Sequence, residues 1–472
     1  MLNKLRKVYT WVLLFTFIFL PFKISYASVE NLRAGIKEDR IRLAVDLDKP
    51  YTFKEQAMGP RLVVEIPTKT ARTERVLVRD PLIRRAYLEP YGNISRLVVF
   101  FSGKVPEHKT FLVKNPDRLV VDVTREKKSA KEETPSSEGL TLGQGLTYRQ
   151  DTTDLGGGEV NAYVLEMAPK SAFKLDFIPG YGRFIQKGTL TNIIKRSGAV
   201  AAVNASYFDS SVWVIGNLVI NKKFLGAEPT PRTALVLGPG EKVQILPQIA
   251  YDGTVVDGQG RKAEITGINR MRLTDDLIYY NDAFDTDTCT NAFGVEVKVK
   301  NDKVVDISSK GSMALDSNSY VLSGNGQAAG YLRALKIGDY VRVDHSLGNS
   351  VAEAADSVGS AGPLLVNNGQ VQVNSEAEGI APDIAYGRAP RTGVGIKADG
   401  TVLIVVADGR SSNSVGMSLT ELARYFVKLG AQKAMNFDGG GSSEMVVGSD
   451  IMNAPSDGDE RPIRVALGIF RK

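Results

Sequence analysis

Three residues that could do chemistry each follow an apolar stretch typical of a buried strand. Asn204 follows GAVAAV, Asp408 follows TVLIVVA, and Asp438 follows AQKAMNF. Strand ends hold polar groups on a rigid scaffold, and sites often lie just beyond them. Asn and Asp also begin ordinary turns by bonding to their own backbone. Three such strand ends together favour a site, in which Asp438, Asp408 and the nearby Asp209 could serve as acid, base or metal ligand.

The stretch after Asp438 is a turn of three glycines, Gly439, Gly440 and Gly441, followed by Ser442. Glycine loses more conformational freedom on folding than any other residue, so three in a row need a special backbone shape or a close ligand. Successive backbone N–H groups in such a turn can form a nest for an anion. The turn therefore predicts an anion site, with Asp438 and Ser442 aimed at the ligand.

Arginines lie close to these segments. Arg388 precedes the pair Arg391-Thr392, and Arg410 follows Asp408. The guanidinium group offers a planar fork of donors that suits phosphate or carboxylate. An ordinary salt bridge is the alternative for any one of them. We expect Arg388, Arg391, Thr392 and Arg410 to contribute to the anion site.

The elements that would position these residues are strands mixed with a few helices. SLTELARYFVKLG, residues 418–430, predicts a helix with a Ser418–Glu421 capping box and a stop at Gly430. Residues 252–349 contain strand patterns of their own and predict a β-rich insertion, which we expect to pack beside the site.

A repeated pattern characterises residues 29–124. IRLAVDL, RLVVEI, RLVVFF and RLVVDV are rich in β-branched residues and are bounded by turn-forming residues, as half-buried strands are. A strand–turn–strand unit thus occurs twice and predicts a small β-sandwich. The stretch resembles the AMIN domain, which implies targeting to peptidoglycan or another envelope polymer. A spacer without a ligand is the alternative.

The motifs of the larger region, 140–472, resemble the phosphodiester glycosidase family. AVNASYFD, GPLLVNNG, PRTGVGIKADGTVLIVVADGR and NFDGGGSS occur in this order. The resemblance implies hydrolysis of a sugar–phosphate diester, and it adds Tyr207 to the expected substrate-binding residues. It also implies an α+β fold with mixed sheet. Ala205 and Ser206 stand where the family commonly has two glycines, which puts the identity of the substrate in question.

The length, composition and net charge of the chain limit its domain organisation and its partners. The 472 residues are too many for one core, and 43% of them are hydrophobic, as in globular proteins. Residues 1–27 have the layout of a signal peptide, with an uncleaved membrane anchor as the alternative. Without the four cations of this leader the net charge of +6 falls to about +2, which gives no case for nucleic acid. One cysteine excludes an intrachain disulfide framework.

The sequence therefore predicts an exported α+β protein of the cell envelope or the extracellular space. Its expected parts are a leader (1–27), an AMIN-like sandwich (28–124), a linker (125–139) and the glycosidase-like domain. The expected activity is hydrolysis of a glycosyl phosphodiester, and the alternative is a non-catalytic glycan-binding protein. His108 and His345 are the only histidines, so a His-rich zinc site is excluded, whereas a Ca²⁺ or Mg²⁺ held by aspartates is left open.

Overall fold

The computed structural model describes residues 30–37, 40–68, 72–76, 78, 80, 82–101, 104–125, 140–181, 186–209 and 214–472. The chain divides into two compact units at residue 131. The predicted leader and nearly all of the predicted linker lie outside the described residues. Within the described ranges, no helix has the length and apolar composition needed to cross a bilayer.

The described part of the first unit consists of strands, which are β1 (Glu30–Ile36), β2 (Arg40–Asp46), β3 (Lys54–Met58), β4 (Arg61–Ile66), β5 (Glu74–Val76), β6 (Ile83–Tyr91), β7 (Ile94–Phe101), β8 (His108–Val113) and β9 (Arg118–Thr124). They form two antiparallel sheets, with strand orders β1-β2-β9-β8 and β3-β4-β7-β6-β5. The four repeat motifs lie in β2, β4, β7 and β9, so these predicted strands are confirmed. Both sheets contribute side chains to one core, for example Leu43 and Leu97.

The strands of the second unit are β10 (Leu140–Gly143), β11 (Leu146–Asp154), β12 (Glu159–Met167), β13 (Phe173–Pro179), β14 (Ala201–Asn204), β15 (Tyr207–Phe208), β16 (Val214–Ile215), β17 (Leu218–Ile220), β18 (Lys223–Gly226), β19 (Arg232–Leu237), β20 (Val243–Ile249), β21 (Asp252–Asp257), β22 (Lys262–Ile265), β23 (Gly267–Ile268), β24 (Leu277–Tyr280), β25 (Val295–Lys300), β26 (Lys303–Ser308), β27 (Tyr320–Gly324), β28 (Val341–Ser346), β29 (Ser357–Ser360), β30 (Leu364–Asn367), β31 (Gln370–Val371), β32 (Arg391–Lys397), β33 (Val402–Ala407), β34 (Ala431–Asn436), β35 (Met445–Val447), β36 (Asp450–Ile451) and β37 (Val465–Arg471). Its helices are short, namely α1 (Leu190–Ser197), α2 (Ala328–Arg333), α3 (Ser350–Glu353), α4 (Pro382–Tyr386) and α5 (Leu419–Lys428).

The expectation of an α+β class is wrong, because the protein is mostly β, with 50% strand and 10% helix. The reason lies in the connections. Apart from β23 with β24, the described strand pairs are antiparallel, and an antiparallel pair does not require a crossover helix between its strands. The predicted helix at 418–430 is confirmed as α5, with both hydrogen bonds of the Ser418–Glu421 capping box present.

Two sheets position the candidate site. One has the order β10-β11-β12-β33-β32-β34-β30-β31, and the other has the order β13-β37-β14-β35-β36. They share a core that includes Val164, Val203, Val405 and Leu467. Because β32 is antiparallel to both β33 and β34, the first residues of β32 lie beside the last residues of those two strands. The loops that begin at Asp408 and Asp438 therefore leave the sheet at the same end of its strands.

The segment predicted as a β-rich insertion builds two further sheets, with orders β22-β21-β28 and β23-β24-β27-β25-β26. These sheets enclose a core of their own, to which Val255, Val297 and Val341 belong. His345 lies against this core, with its ring 4.8 Å from that of Phe224 and Nδ1 2.8 Å from the hydroxyl of Tyr251. These contacts are those of a residue that packs within the insertion.

Candidate active site

Asn204 joins three distant segments at the end of β14. The residue is 1% exposed. Nδ2 donates to the backbone carbonyl of Asp438 at 2.6 Å. Oδ1 accepts from the hydroxyl of Thr392 at 2.7 Å and from the backbone N–H of Glu444 at 3.1 Å. One buried amide thus holds together the start of β32, the glycine turn and the approach to β35.

The glycine turn is held against the segment that precedes β32. The backbone N–H of Gly440 donates to the carbonyl of Pro390 at 2.8 Å, and Gly440 has a φ of +62°, in the left-handed region. A Cβ at Gly439 would lie 3.0 Å from that same carbonyl oxygen. A Cβ at Gly441 would lie 2.2 Å from Nη2 of Arg461. The sequence suggested that these glycines admit a ligand, but the close approach seen here is by the protein's own groups.

Asp438 is half-buried at the start of this turn. Its backbone N–H donates to the carbonyl of Ala205 at 2.9 Å. Burial raises the pKa of its carboxyl to about 6, while the Ser442 hydroxyl, the Gly439 N–H and the charges of Arg461 and Arg391 act in the opposite direction. Asp438 therefore gains or loses its proton near pH 6, where a carboxyl can act as either an acid or a base.

Arg391 is a buried cation beside Asp438, and it is 2% exposed. Nε donates to the carbonyl of Met417 at 2.8 Å, and Nη2 donates to those of Ile384 and Gly387 at 2.7 and 2.6 Å. Burial lowers the pKa of its guanidinium, and the nearby charge of Arg410 acts in the same direction. The Nε and Nη2 groups of Arg391 therefore hold the surrounding loops in place, and its Nη1 lies towards Gly439.

Arg410 and Tyr207 complete the surroundings of Asp438. Arg410 is exposed, and its Nη2 would lie 3.2 Å from a Cβ at Gly440. The Tyr207 hydroxyl donates to the carbonyl of Gly362 at 3.0 Å and accepts from Nδ2 of Asn436 at 2.7 Å. Burial and the Asp438 charge both raise the pKa of Tyr207. The phenol therefore stays protonated and keeps its donor bond.

Two predicted residues, Arg388 and Asp408, bond to groups other than those around Asp438. Arg388 pairs with Glu421, the capping residue of α5. Asp408 accepts from the Tyr163 hydroxyl at 2.9 Å, from Asn453 Nδ2 at 3.2 Å and from a backbone N–H at 3.0 Å. Burial raises the pKa of Asp408 to about 6. Because Asn453 also binds the backbone next to β35, the contacts of Asp408 are those of a residue that supports the site.

Asp209, the third candidate carboxylate, lies near two cations. Its charge acts to raise the pKa of both Lys187 and Arg464. The sequence did not predict that cations would lie near Asp209.

A pair of acids was also missed. Glu444 is 2% exposed, and its Oε1 has no hydrogen-bond partner among the described residues. Burial and the adjacent Glu460 carboxyl raise its pKa to about 9. Glu460 accepts from the backbone N–H and the hydroxyl of Thr191 at 2.9 and 2.6 Å, at the start of α1. The only signal in the sequence was an acid placed between the glycine turn and an apolar strand.

The described ranges contain no group of three or more His, Cys, Asp or Glu side chains placed to hold a metal ion. The arrangement around Asp438 instead offers cations, backbone donors and a titrating carboxyl. These groups are suited to holding an anion and moving a proton.

Comparison with known proteins gives a family match for part of the chain. Residues 293–470 match the sequence model of the phosphodiester glycosidase family. A stretch of 80 residues is 39% identical to the SPβ prophage-derived protein YomE of Bacillus subtilis strain 168, covering 17% of this chain and 12% of YomE. A stretch of 102 residues is 29% identical to N-acetylglucosamine-1-phosphodiester alpha-N-acetylglucosaminidase of Bos taurus, covering 20% of this chain and 19% of that enzyme. The chain thus spans less than a fifth of the length of either relative.

Solved structures resemble the chain over much more of its length. A hypothetical protein from Synechocystis superposes with a TM-score of 0.68 at 20% identity, covering 94% of this chain and 81% of that one. A Burkholderia pseudomallei K96243 protein assigned as exported gives a TM-score of 0.58 at 20% identity, covering 90% and 97%. These likenesses concern the fold alone. Residues 293–470, which include Arg391, Asp438 and Glu444, carry the match to the phosphodiester glycosidase family, and this match suggests a glycosidase-type function.

Proposed function

We propose that the protein is an exported hydrolase that cleaves a glycosyl phosphodiester, with Asp438 as the group that moves a proton. The observation that carries the proposal is the position of Asp438. Its carboxyl lies at the glycine turn, near the charges of both Arg391 and Arg461. A phosphodiester bound here would bring its negative charge to these cations and its leaving oxygen to the carboxyl.

The chemistry requires two contributions. The charge of the phosphate must be held, which charge-assisted bonds from arginine and backbone N–H groups do well. A proton must also reach the leaving oxygen or leave the attacking water, which a carboxyl with a pKa near the working pH does efficiently. Glycosidases commonly use a second carboxyl. Glu444, which stays protonated at neutral pH, is the buried acid nearest in sequence.

One partial relative and the sequence support a proposal for the substrate class. The bovine enzyme acts, by its name, on an N-acetylglucosamine-1-phosphodiester, so we propose a sugar 1-phosphodiester here. The side chains of Ala205 and Ser206 are buried beside Asn204. We therefore expect the preferred sugar or aglycone to differ from that of the bovine enzyme.

The test uses the full chain with a panel of chromogenic sugar 1-phosphodiesters. We expect turnover, and we expect Asp438→Asn to lower kcat/KM by about 100-fold or more, because general acid–base catalysis contributes roughly that much. The wild type should show a limb in its pH profile near pH 6 that the variant lacks. Asp450→Asn, at the exposed start of β36, is the matched control.

Three further measurements complete the test. Hydrolysis in ¹⁸O-labelled water assigns the attacked atom, because the label enters the sugar after attack at carbon and the phosphate after attack at phosphorus. Chelation with EDTA tests whether a divalent cation such as Ca²⁺ or Mg²⁺, which the sequence left open, is needed for activity. Saturable glycan binding without turnover, across pH values and metals, would refute the enzyme and support a non-catalytic binding protein.

The first unit is proposed to hold the protein at peptidoglycan or another wall polymer. One face of its β3-β4-β7-β6 strands carries a cavity of about 350 Å³ lined by Lys54, Arg61, Tyr87 and Arg96 among others. The Arg96 guanidinium lies 3.3 Å above the ring of Tyr91. Co-sedimentation of the full chain with purified peptidoglycan tests this, and Arg61→Ala should weaken binding. Equal sedimentation of the variant would argue against this face.

A further inference from the structure

We propose that the carboxylate of Asp457 is an internal anion, which holds Arg461 over the glycine turn and is displaced by the phosphate of the substrate. The inference rests on the proposed function and adds to it a residue that sets the affinity of the site for phosphate. A carboxylate of the protein itself lies at the turn where the substrate phosphate is proposed to bind.

Arginine end groups lie against all three glycines of the turn. Where each glycine would carry a Cβ, a guanidinium nitrogen lies 3.6 Å away for the first glycine and 3.2 Å away for the second, and it overlaps the Cβ of the third. These nitrogens belong, in that order, to Arg391, Arg410 and Arg461. An anion placed over the turn therefore meets guanidinium groups, which are strong donors to phosphate and to carboxylate.

The carboxylate of Asp457 lies over the third glycine together with Arg461. Both of its oxygens would overlap a Cβ at Gly441. Gly441 is buried beneath this ion pair, whereas Gly439 and Gly440 are only partly buried. The ion pair therefore covers the last part of the turn, at the end away from the candidate catalytic carboxyl.

The ion pair is exposed, and its geometry is not the strongest that arginine can adopt. The side chain of Asp457 is 37% exposed and that of Arg461 is 40% exposed. Nε and Nη2 of Arg461 both bond to one oxygen, Oδ2, at 2.8 and 2.6 Å. Exposed ion pairs are weak because water screens the attraction, and arginine bonds best when its two nitrogens meet two separate oxygens. A phosphate offers several oxygens and can therefore replace the carboxylate.

The segment that carries the ion pair is held at both ends. At one end, Nδ2 of Asn453 donates to the backbone beside β35 at 3.0 Å. At the other end, the carboxylate of Glu460 accepts from the backbone N–H at the start of α1 at 2.9 Å. Asp457 lies between them in a turn, residues 455–458, which a backbone hydrogen bond of 3.0 Å closes. Rotation of the Asp457 side chain would release Arg461 while both ends stay in place.

The experiment measures binding of inorganic phosphate to the full chain by calorimetric titration. Asp457→Asn should bind phosphate about 5-fold more tightly than the wild type, because an exposed ion pair contributes roughly that factor. Asp306→Asn, at an exposed position of β26 in the insertion, removes the same charge and should change binding by less than about 2-fold. Equal affinity of these two variants, or weaker binding by Asp457→Asn, would overturn the proposal.

A double variant shows whether the gain depends on Arg461. Arg461→Gln should weaken phosphate binding. Addition of Asp457→Asn to Arg461→Gln should then give no gain, because the carboxylate has no guanidinium left to hold. A gain of the same size without Arg461 would be a general effect of charge, and it would contradict the role of Asp457 as an internal anion.

Turnover separates this inference from the proposed function. For a sugar 1-phosphodiester, Asp457→Asn should lower KM by about 5-fold and change kcat by less than about 2-fold, since the carboxylate competes with binding only. A fall in kcat at unchanged KM would overturn the proposal. Turnover with unchanged phosphate affinity in Asp457→Asn would overturn the internal anion and leave the hydrolase standing. Tighter phosphate binding by Asp457→Asn, in a protein without turnover, would support the internal anion and refute the hydrolase.

Discussion

Replacement of Asn204 by alanine tests the central feature of the candidate site. The substitution removes three hydrogen bonds, to the Asp438 carbonyl, the Thr392 hydroxyl and the Glu444 N–H. Each lost bond costs about 1 kcal/mol, and each partner left buried without a bond adds to that cost. We expect the free energy of unfolding to fall by about 3 to 5 kcal/mol. Displacement of Asp438 should lower kcat/KM by about 100-fold, since a shift of about 1 Å can cost that much.

The assay is urea unfolding of the full chain, followed by circular dichroism, together with hydrogen exchange of peptides that contain residues 392, 438 and 444. We expect faster exchange in all three peptides, because one side chain holds them together. Asn413→Ala, at an exposed loop, should change stability by less than about 0.5 kcal/mol. A loss below about 1 kcal/mol in Asn204→Ala, with exchange unchanged in the three peptides, would refute the view that Asn204 holds the site together.

Three other substitutions have defined outcomes. A Cβ at Gly441 would meet the end groups of both Arg461 and Asp457, so Gly441→Ala should cost about 1 to 3 kcal/mol and should lower activity by moving the Arg461 cation. Glu444→Gln should stabilise the protein by about 3 kcal/mol at pH 7 and by nothing at pH 4, since the folded pKa of about 9 lies above the ordinary 4.5. For His345, burial lowers the pKa from 6.5 to about 4, so the wild type should lose about 2 kcal/mol between pH 7 and pH 5, and His345→Phe should not. Thermal and urea unfolding measure the stability of the three variants, across pH for the last two, and turnover of the sugar 1-phosphodiester measures the activity of Gly441→Ala.

The direction in which stability changes with pH tests the predictions for Glu444 and His345. Glu444 binds a proton more tightly in the folded state, so its unfavourable contribution grows as the pH rises above 4.5. His345 binds a proton more weakly in the folded state, so its contribution is lost as the pH falls below 6.5. An effect of opposite sign in either variant would contradict the burial argument. For Gly441→Ala the control is Gly330→Ala, where a Cβ meets nothing within 4 Å. Equal activity of these two glycine variants would contradict a role for Arg461.

Local patterns predicted local structure well. The β-branched residues of the repeat motifs, with turn-forming residues at their ends, placed β2, β4, β7 and β9, and the spacing of Ser418 and Glu421 placed the start of α5. These features depend on neighbours within a few residues, which a sequence displays directly. The α+β class was wrong because short helical patterns say little about how strands pair. The antiparallel order of the large sheets is set by contacts far apart in the chain.

The sequence signal for the site was clearest where its residues end strands. Asn204 and Asp438 were found because an apolar run precedes each of them, and the structure joins them by a hydrogen bond. Arg388 was chosen by proximity in sequence, yet it pairs with Glu421 on α5. Lys187 and Arg464 carry no local signal, since they meet only through the bridge between Gly188 and Ile463. Residues brought together by long-range pairing need coordinates to be found.

The position of β37 has a consequence for how the protein can be cut and expressed. This last strand lies in the middle of its sheet, between β13 and β14, and β33 pairs with β12 from the opposite end of the unit. A fragment limited to residues 293–470 would lack all three partner strands and would present bare backbone edges prone to intermolecular pairing. Soluble expression should therefore require residues from about 140 onwards, and removal of even the final strand should divide the sheet that holds Asn204.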